Sequence, residues 1–366
     1  MAKVFRYRLK PTKAQTAKLN EQLELCRWVY NETLAMRRNA WEQEGKSISY
    51  FETKRMLPIW KESKPELKSV HSQVLQDVVL RVNLAFRWFF KRVQSGEDYG
   101  YPRFKGKNRY DSISYSQSGF SIEGNKLWLS KIGEIKFWLH RPIEGYVKRL
   151  TIRRSATKKW HVSFLVEESI NHPLEPSDKV VGIDLGVKNF AVLSSGEFIE
   201  NPRFLLADEE RLKAAQSKRD KLPKGSPERW KANKAVSHLY ERVSNRRDDF
   251  AQQLSRKLVN SYGIICFEDL SITQMTQNND LAKSILDASW NRLVKYTIYK
   301  AAEAGRKVVL VSPMNTSQMC SGCGQIVKKE LSVRVHDCPY CGLTLDRDLN
   351  ASRNILRLGL QSLARA

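Results

Sequence analysis

The sequence predicts a multidomain protein whose first half is α+β and whose second half is α/β. In the first half, residues 13–95 carry apolar side chains at three- and four-residue steps, which is typical of amphipathic helices, and short strand patterns flank them on both sides. From residue 179 onward, short apolar runs alternate with charged helical segments, which is typical of α/β architecture. Near the C-terminus, four cysteines have the spacing of a zinc ribbon.

The first half is expected to be a small β-barrel with helices inserted into it. A strand over Lys3–Leu9 ends before Pro11, and we expect it to pair with strands much later in the chain. Most aromatic residues of the helical region are expected in the core. The later strands are predicted at Ser112–Ser116, Leu127–Leu129, Ile135–Leu139, Val147–Arg153 and Trp160–Glu167, and the aromatic residues in question are Trp28, Tyr30, Trp41, Tyr50, Trp60, Trp88, Phe89 and Phe90.

The second half follows a polar, proline-containing linker at Pro173–Asp178. Its first apolar run, starting at Val180, reads as a strand, a turn and a second strand, and Glu197–Glu200 is a candidate third. Residues 203–260 are predicted to be helical with a break at Pro223–Pro227. Further strands are expected at Ile264–Glu268 and Lys307–Ser312, and further helices at Asp287–Ala304 and Asp348–Leu360.

The charge of the chain indicates a polyanionic partner. Lys and Arg number 63 against 39 Asp and Glu, which gives a net charge of +24 spread along the whole chain. A distributed excess of this kind is typical of a folded surface that holds nucleic acid, and an anionic membrane is the alternative. No apolar stretch of about 18 residues is present, and the basic start lacks the apolar core of a signal peptide, so we expect a cytoplasmic protein without a membrane partner.

The cysteine spacing indicates one structural zinc ion. Cys320 and Cys323 form one C-x-x-C pair, and Cys338 and Cys341 form a second one fourteen residues later. Four thiolates complete a tetrahedron and leave no open position for catalysis. His336 would be a fifth ligand, so we interpret it as a loop residue.

Three carboxylates stand where a metal nuclease would need them. Asp184 lies inside an apolar strand, Glu268 ends another, and Asp348 opens the last helix. A buried ionised carboxylate is costly unless it is paired or bound to a metal. A strand with Asp, a hairpin, a later strand ending in Glu and a final helix opening with Asp is the plan of an RNase H-like (RuvC) nuclease, in which two Mg²⁺ ions lie about 3.5–4 Å apart. Taken singly, the three residues read equally well as a turn residue, a loop ion pair and a helix cap.

Several ordered motifs together resemble the TnpB family, which consists of compact, transposon-encoded, RNA-guided DNA nucleases related to the type V CRISPR effectors. The resemblance spans nearly the whole chain. It rests on Gly182–Phe190, Phe267–Leu270, Ser317–Gly324, Asp337–Gly342 and Asp346–Ala351, with support from Gly100–Lys105 and Arg27–Asn31.

The resemblance implies a domain layout and a set of partners. Residues 1–10 and 96–175 would form a wedge-like β-barrel, 11–95 a helical recognition domain, 179–314 and 345–366 the RuvC-like nuclease, and 315–344 the zinc-ribbon module. One chain would bind one guide RNA from the transposon end, in the cytoplasm of a bacterium or archaeon and near its nucleoid. Base pairing would then select double-stranded target DNA, and the protein would read a short flanking motif.

The resemblance also implies roles for individual residues. Asp184, Glu268 and Asp348 take the catalytic, magnesium-binding places, and Asp346 is the reserve candidate. The candidate readers of the flanking DNA motif are Tyr50, Gln76, Ser116 and Gln117. The candidate contacts to the scissile strand are Lys188 and Asn350. A glutamine amide suits base reading because it bonds adenine through two atoms in the major groove.

Two other functions fit parts of the sequence. A nuclease-inactive, RNA-guided repressor would lack an acidic residue, but all three are present. An acidic-triad transposase shares the fold and the two-metal chemistry, but the zinc ribbon before the last helix argues against it. A type V CRISPR effector is a nearer neighbour, although such proteins are generally much longer than 366 residues.

Overall fold

The computed structural model describes residues 2–167, 173–270, 287–330 and 333–365. These residues belong to two compact units, residues 1–169 and residues 170–366. The predicted linker at Pro173–Asp178 therefore falls near the start of the second unit. No helix in the described ranges combines the length and the apolar character that a bilayer crossing requires.

The helices of the first unit begin at well-formed caps. The Thr12 hydroxyl accepts a hydrogen bond from the Gln15 backbone N–H, and the Gln15 side chain accepts one from the Thr12 backbone N–H, so that two orphan donors at this helix end are satisfied. Ser49 and Glu52 repeat this arrangement at the next helix. The helices are α1 (Lys13–Glu44), α2 (Tyr50–Ser63) and α3 (Ser72–Gln94), with a 3₁₀ turn at Pro65–Ser69.

The strands of the first unit form one seven-stranded antiparallel sheet in the order β2-β6-β7-β1-β5-β4-β3. As predicted, the first strand pairs with strands far along the chain, Phe5 opposite Phe164 and Leu9 opposite Phe137. The sequence pattern missed β3. The strands are β1 (Ala2–Lys10), β2 (Ser112–Tyr115), β3 (Phe120–Glu123), β4 (Lys126–Leu129), β5 (Gly133–Phe137), β6 (Tyr146–Arg154) and β7 (Trp160–Glu167).

The expectation that most aromatic residues of the helices are core residues was wrong for three of them. Trp41, Trp88 and Phe90 expose 62%, 59% and 51% of their surface. The buried face of α3 repeats every four residues from Val74 to Phe86. Trp88 lies off this face, and Phe90 continues the spacing beyond the buried stretch and stacks on Phe86. By contrast, Tyr30 is buried, and Trp28, Tyr50 and Trp60 pack against the core.

The sheet of the second unit has five strands in the order β10-β9-β8-β11-β12. The first three are antiparallel neighbours, whereas β8, β11 and β12 run parallel. The strands are β8 (Val180–Leu185), β9 (Asn189–Leu193), β10 (Phe198–Glu200), β11 (Ile264–Glu268) and β12 (Lys307–Val311). The helices are α4 (Phe204–Ala207), α5 (Glu209–Asp220), α6 (Pro227–Ser261), α7 (Trp290–Ala304) and α8 (Arg347–Ala364).

The last helix lies directly on this sheet because two glycines permit a close approach. A Cβ atom on Gly182 of β8 would clash with the backbone of Ser352 and Leu356 in α8. A Cβ atom on Gly359 of α8 would clash with the Cys266 side chain on β11. Any larger residue at either position would therefore push the helix away from the two central strands.

A small two-stranded unit connects β12 to α8. Its strands β13 (Val335–Asp337) and β14 (Thr344–Asp346) are antiparallel, with His336 opposite Leu345. All four clustered cysteines lie between β12 and β14. We call residues 315–344 the ribbon segment. Because α8 starts immediately after β14, the ribbon segment adjoins the helix that carries Asp348.

Candidate active site and metal centre

Asp184 and Glu268 lie side by side on neighbouring strands. Ile183 of β8 pairs with Phe267 of β11 in parallel register, and each of these residues is followed directly by its carboxylate. Parallel neighbours are about 4.8 Å apart, and residues at the same level point to the same face of the sheet. The two carboxylates therefore meet at the carboxyl ends of the two central strands.

Asp348 reaches the same place from α8. Side chains two residues apart share a face of a strand, so Asp184 points to the face on which Gly182 contacts Ser352 of α8. Asp348 precedes Ser352 by one helical turn. Burial of these carboxylates is substantial: Glu268 and Asp348 expose only 8% and 9% of their surface, whereas Asp184 is half-buried.

The reserve candidate Asp346 has a different position. It is the N-cap of α8, and its Oδ1 atom accepts hydrogen bonds from the backbone N–H groups of Asp348 at 2.8 Å and Leu349 at 3.1 Å. This side chain fixes the first turn of the helix. Asp348 is left free of this capping role.

The electrostatics of the site disfavour the ionised state of all three carboxylates. Burial raises the pKa of Asp184 well above its usual value, and the negative charges of Glu268 and Asp348 raise it further. Burial also raises the pKa of Glu268, against a smaller opposing effect of a hydrogen bond from Thr316. For Asp348, burial and then Asp346 raise the pKa. The three groups form a cluster of mutually repelling acids.

Basic residues at the rim compensate only part of this charge. Arg334 places its Nη1 atom 3.6 Å from Oδ1 of Asp348, and Lys188 is exposed and also favours ionisation of Asp348. The charge of Arg347 favours ionisation of Asp184, but its guanidinium donates to the carbonyls of Glu330 and Val333. Partly compensated carboxylates with no histidine among them are a donor set that suits a hard divalent cation such as Mg²⁺.

The four cysteines meet in the ribbon segment. Their Sγ atoms all lie within 4.8 Å of one another, with Cys320–Cys341 and Cys323–Cys338 separations of 3.6 Å. Zinc–sulfur bonds of about 2.3 Å in a tetrahedron require sulfur–sulfur distances of about 3.8 Å. The four thiols therefore fit one tetrahedral metal ion.

Two equivalent turns hold the cysteines in this arrangement. The N–H of Gly324 donates to the Cys320 carbonyl, and that of Gly342 donates to the Cys338 carbonyl, both at 2.9 Å. The two glycines have φ of 79° and 71°, in the left-handed region that glycine tolerates best. Burial opposes ionisation of Cys320, but hydrogen bonds from the Cys323 backbone, His336 and the Gly322 backbone outweigh it and lower the pKa to about 6.

His336 is not the loop residue that the sequence suggested. It is fully buried in β13, and its Nδ1 atom contacts the Lys329 ammonium. The side chain lies close enough to the cysteine cluster to favour the thiolate of Cys320 and so to lower its pKa. A period-two pattern is too short to detect over a strand of three residues, so the sequence carried no signal for this position.

Three of the four candidate DNA readers are brought near one another in the first unit. Ser116 and Gln117 follow β2, and Gln117 exchanges hydrogen bonds with Gln73 of α3, Nε2 of Gln73 lying 3.3 Å from Oε1 of Gln117. Gln76 lies about one turn beyond Gln73 on the same helix. Tyr50 is the first residue of α2 and packs against the core. Gln73, which contacts Gln117, is not among the candidates that the sequence suggested.

Asn350 was predicted to contact the scissile DNA strand, and its position contradicts this. The residue is fully buried in α8. Its Oδ1 atom accepts from the Ser321 N–H at 2.8 Å, and its Nδ2 atom donates to the Met319 carbonyl at 2.7 Å. Both ends of the amide are thus used to hold the ribbon segment against α8. A second buried asparagine, Asn354, lies four residues later on the same face.

Comparisons with protein-family models match three parts of the chain. A model described as "Probable transposase" matches residues 161–279, and one described as "Cas12f1-like, TNB domain" matches residues 290–355. A model described as "Helix-turn-helix domain" matches residues 1–46, which contain β1 and α1 in this structure. The matches place the chain in a class shared by transposon-associated proteins and Cas12f1-like effectors.

Relatives over the full length narrow this class. A Streptomyces pristinaespiralis protein named "Putative RNA-guided DNA endonuclease" is 34% identical over 99% of this chain and 90% of its own length. The Escherichia coli K12 protein "Putative RNA-guided DNA endonuclease InsQ" is 28% identical over 98% of this chain and 93% of its own. The chain belongs to the TnpB family of these proteins.

One solved structure has a similar fold. The mini-RNA-guided endonuclease CRISPR-Cas_phi3 is 12% identical, and the likeness has a TM-score of 0.52 and covers 98% of this chain and 92% of that one. At this level of identity the likeness concerns the multidomain fold.

Proposed function

We propose that this chain is an RNA-guided DNA endonuclease that hydrolyses target DNA at Asp184, Glu268 and Asp348. The observation that carries the proposal is the meeting of three carboxylates with raised pKa at the carboxyl ends of two parallel strands. Groups so arranged are typical of functional sites, because a fold without use for them would replace them with apolar residues. The full-length relatives named as RNA-guided DNA endonucleases support the same conclusion.

The topology of the second unit supports an RNase H-like (RuvC) assignment. Three antiparallel strands are followed by two parallel ones, and α8 covers the face that presents the carboxylates. We assign residues 179–314 and 345–366 to this nuclease and residues 315–344 to the zinc ribbon. In the first unit we retain residues 1–10 and 96–175 as the wedge-like barrel, and 11–95 as the recognition helices.

Two kinds of metal ion fit the sites described above. Asp184, Glu268 and Asp348 would hold two Mg²⁺ ions, which when bound activate water and stabilise the leaving oxygen. The four cysteines would hold one Zn²⁺ in a closed, structural site. Of the chain's own groups, Lys188 is exposed beside Asp348 and is placed to meet a phosphate of the strand to be cut. Asp346, as N-cap, keeps Asp348 directed into the cluster.

The proposed partners are a guide RNA from the transposon end and double-stranded target DNA. A net charge of +24 suits the neutralisation of two polyanions, and binding should weaken steeply as salt rises. Base pairing with the guide would supply target choice. We propose that Gln76, Ser116 and Gln117, with Gln73 added, read the flanking motif, because glutamine amides suit adenine and the four residues lie near one another. Tyr50 remains a fifth candidate.

The test is cleavage of guided DNA by the Asp184→Ala variant. The protein would be co-expressed with transposon-end DNA, purified, and any bound RNA sequenced to design the target. We expect Asp184→Ala to bind the guide and the target like the wild type and to cut neither strand. Asp249→Ala, at an exposed carboxylate of α6 in the same unit, should cut normally.

The same experiment distinguishes the guided nuclease from an acidic-triad transposase. The match to the family model described as "Probable transposase" is the reason to test this alternative. A wild-type protein that carries no defined RNA and joins transposon ends would support that alternative. Guided cutting that persists in Asp184→Ala would overturn the assignment of the catalytic residues.

A further inference from the structure

The stretch between β12 and the first cysteine turn contacts both catalytic elements. The Thr316 hydroxyl bonds to Oε1 of Glu268. The Asn354 amide of α8 donates to the carbonyls of Thr316 at 2.9 Å and Met319 at 2.6 Å. Asn350, one turn earlier on α8, holds Met319 and Ser321, the two neighbours of Cys320.

These hydrogen bonds are shielded from water. Thr316 is 2% exposed, and Asn350 and Asn354 are not exposed at all. Polar groups buried to this degree are retained only where their partners are present, because an unpaired buried donor or acceptor strongly destabilises the fold. The bonds therefore fix the relative placement of their partners.

We propose that Thr316, Asn350 and Asn354 form a positioning bridge through which the cysteine cluster sets the places of Glu268 and Asp348. This inference rests on the nuclease function proposed above. The three residues do not contact the scissile DNA. Instead, Thr316 holds Glu268, and Asn350 and Asn354 hold the first turns of α8. All three act through the backbone of residues 316–321, whose conformation the cysteine turns fix.

The bridge predicts that the cysteine site and the carboxylate site are coupled. Asn350 is two residues after Asp348, so any displacement of Met319 or Ser321 moves the turn of α8 that presents this carboxylate. Thr316 connects the same stretch to Glu268 on the other side of the site. A ribbon segment without its metal would leave Met319 and Ser321 unfixed, and both Mg²⁺ ligands would lose their support.

The bridge is tested with Thr316→Val, which removes one hydroxyl and keeps the volume. Two Mg²⁺ concentrations are measured. The first gives half-maximal cleavage, and the second gives half of the rise in unfolding temperature that Mg²⁺ causes. Loss of an outer contact to a metal ligand typically weakens metal binding roughly 10- to 100-fold, and we expect an increase of that size in both. Zinc content and guide RNA binding should equal those of the wild type.

Two further variants separate positioning from general stability. Thr297→Val makes the same change at a fully buried threonine whose hydroxyl bonds only to Leu293 of its own helix, and should leave the Mg²⁺ requirement unchanged. Thr316→Ser keeps the hydroxyl and should restore the wild-type Mg²⁺ requirement, even if its unfolding temperature falls.

Two variants break the bridge elsewhere. Asn354→Ala removes the bonds to Thr316 and Met319 and should raise the Mg²⁺ requirement as Thr316→Val does. Cys341→Ser, in the ribbon segment, should raise the Mg²⁺ requirement because zinc is lost. The bridge is overturned if Thr316→Val and Asn354→Ala both fold and require no more Mg²⁺ than the wild type. A wild-type protein with no Mg²⁺-dependent cleavage or thermal shift would refute the proposed nuclease instead.

Discussion

The cysteine cluster and the carboxylate cluster are both groups of potential anions, yet their surroundings differ. In the ribbon segment, N–H groups of the two glycine turns close the loops, and backbone donors and His336 favour the thiolate of Cys320. The Leu343 backbone favours the thiolate of Cys341, but burial and the neighbouring thiols outweigh it and raise the pKa of Cys341 to about 12. At the sheet end, burial and mutual repulsion disfavour every carboxylate, and only Arg334 makes an ion pair with one of the three among the described residues.

We interpret this difference as that between a structural metal site and a reactive one. Backbone donors that stabilise thiolates before a metal arrives make a closed site, whose metal binding contributes to folding. Carboxylates that repel one another favour a bound cation, which would in turn attract an anionic phosphate of the substrate. The two clusters adjoin in one unit, so each can be altered while the other is monitored.

The largest effect should come from removing one cysteine of the four-cysteine site. Cys338→Ser removes a buried ligand, and structural zinc sites contribute about 10–16 kcal/mol of binding free energy to folding. We expect bound zinc to fall from one equivalent to near none, and residues 315–344 to become susceptible to protease. Metal analysis and limited proteolysis measure both.

A second cysteine provides the control for this change. Cys26→Ser replaces a cysteine that is equally buried but lies in the first unit, far from the cluster in sequence. It should lower thermal stability without changing zinc content. If Cys338→Ser kept a full equivalent of zinc, the four-cysteine site would be wrong.

The reactive side should respond to Asp184→Asn with opposite changes in activity and stability. Loss of a metal ligand should slow cleavage at least about 10³-fold, since metal stabilisation of the transition state amounts to several kcal/mol. The metal-free protein should become more stable at neutral pH, because the raised pKa of Asp184 in the folded state means that ionisation destabilises the fold. An increase of about 1 kcal/mol would raise the unfolding temperature by about 2–4 °C.

The sign of this stability change can be checked against pH. The gain should vanish below the unfolded pKa of aspartate, about 4, where the native carboxyl is neutral too. Asp249→Asn, at an exposed carboxylate of α6, should change neither cleavage nor stability. Calorimetry on metal-free protein provides the comparison, and a destabilised Asp184→Asn protein would contradict the account.

Much of this contrast could be predicted from the sequence because both clusters leave local marks. Two C-x-x-C pairs and a carboxylate inside the apolar strand Val180–Leu185 are anomalies that a single sequence displays. The strand pairing of Lys3–Leu9 with distant partners also followed from its pattern, with observed bounds of Ala2–Lys10. The polar, Asn/Gln-rich composition of residues 270–286 also suggests a lid over the site, but nearly all of that stretch lies outside the described residues.

What the sequence did not reveal depends on three-dimensional packing. Asn350 reads as a polar residue next to an active site, and only the path of the ribbon segment against α8 makes it a buried clamp. The exposed Trp41 and Trp88 cannot be told from core residues by composition, since aromatic residues suit both environments. Gly182 lies in an apolar strand, and only the structure shows that its missing side chain makes room for the α8 backbone.

The support that α8 gives to the reactive cluster should be sensitive to one methyl group. Gly182→Ala places a Cβ atom against the Ser352 carbonyl and 2.8 Å from the Leu356 Cβ atom, so α8 must move. Overpacking of this kind destabilises by about 1–3 kcal/mol, and Asp348 should shift away from Asp184. We expect lower stability and a higher Mg²⁺ requirement with zinc content unchanged. Gly100→Ala, where an added Cβ atom meets nothing within 4 Å, is the control for the methyl group itself.

The smallest expected effect is a gradual change of Mg²⁺ affinity with pH, which compares the two clusters in one experiment. Because the pKa values of Asp184, Glu268 and Asp348 are raised, acidification adds protons that Mg²⁺ must displace. The Mg²⁺ affinity should therefore fall as the pH is lowered, by up to roughly tenfold per pH unit for each proton. The zinc site should keep its metal in the same titration, because four cysteine sulfurs enclose the ion in a closed site. Mg²⁺ titrations of thermal unfolding, with zinc content measured on the same samples, test both halves. An Mg²⁺ affinity independent of pH would mean that the carboxylates are already ionised, and the electrostatic contrast between the two clusters would no longer hold.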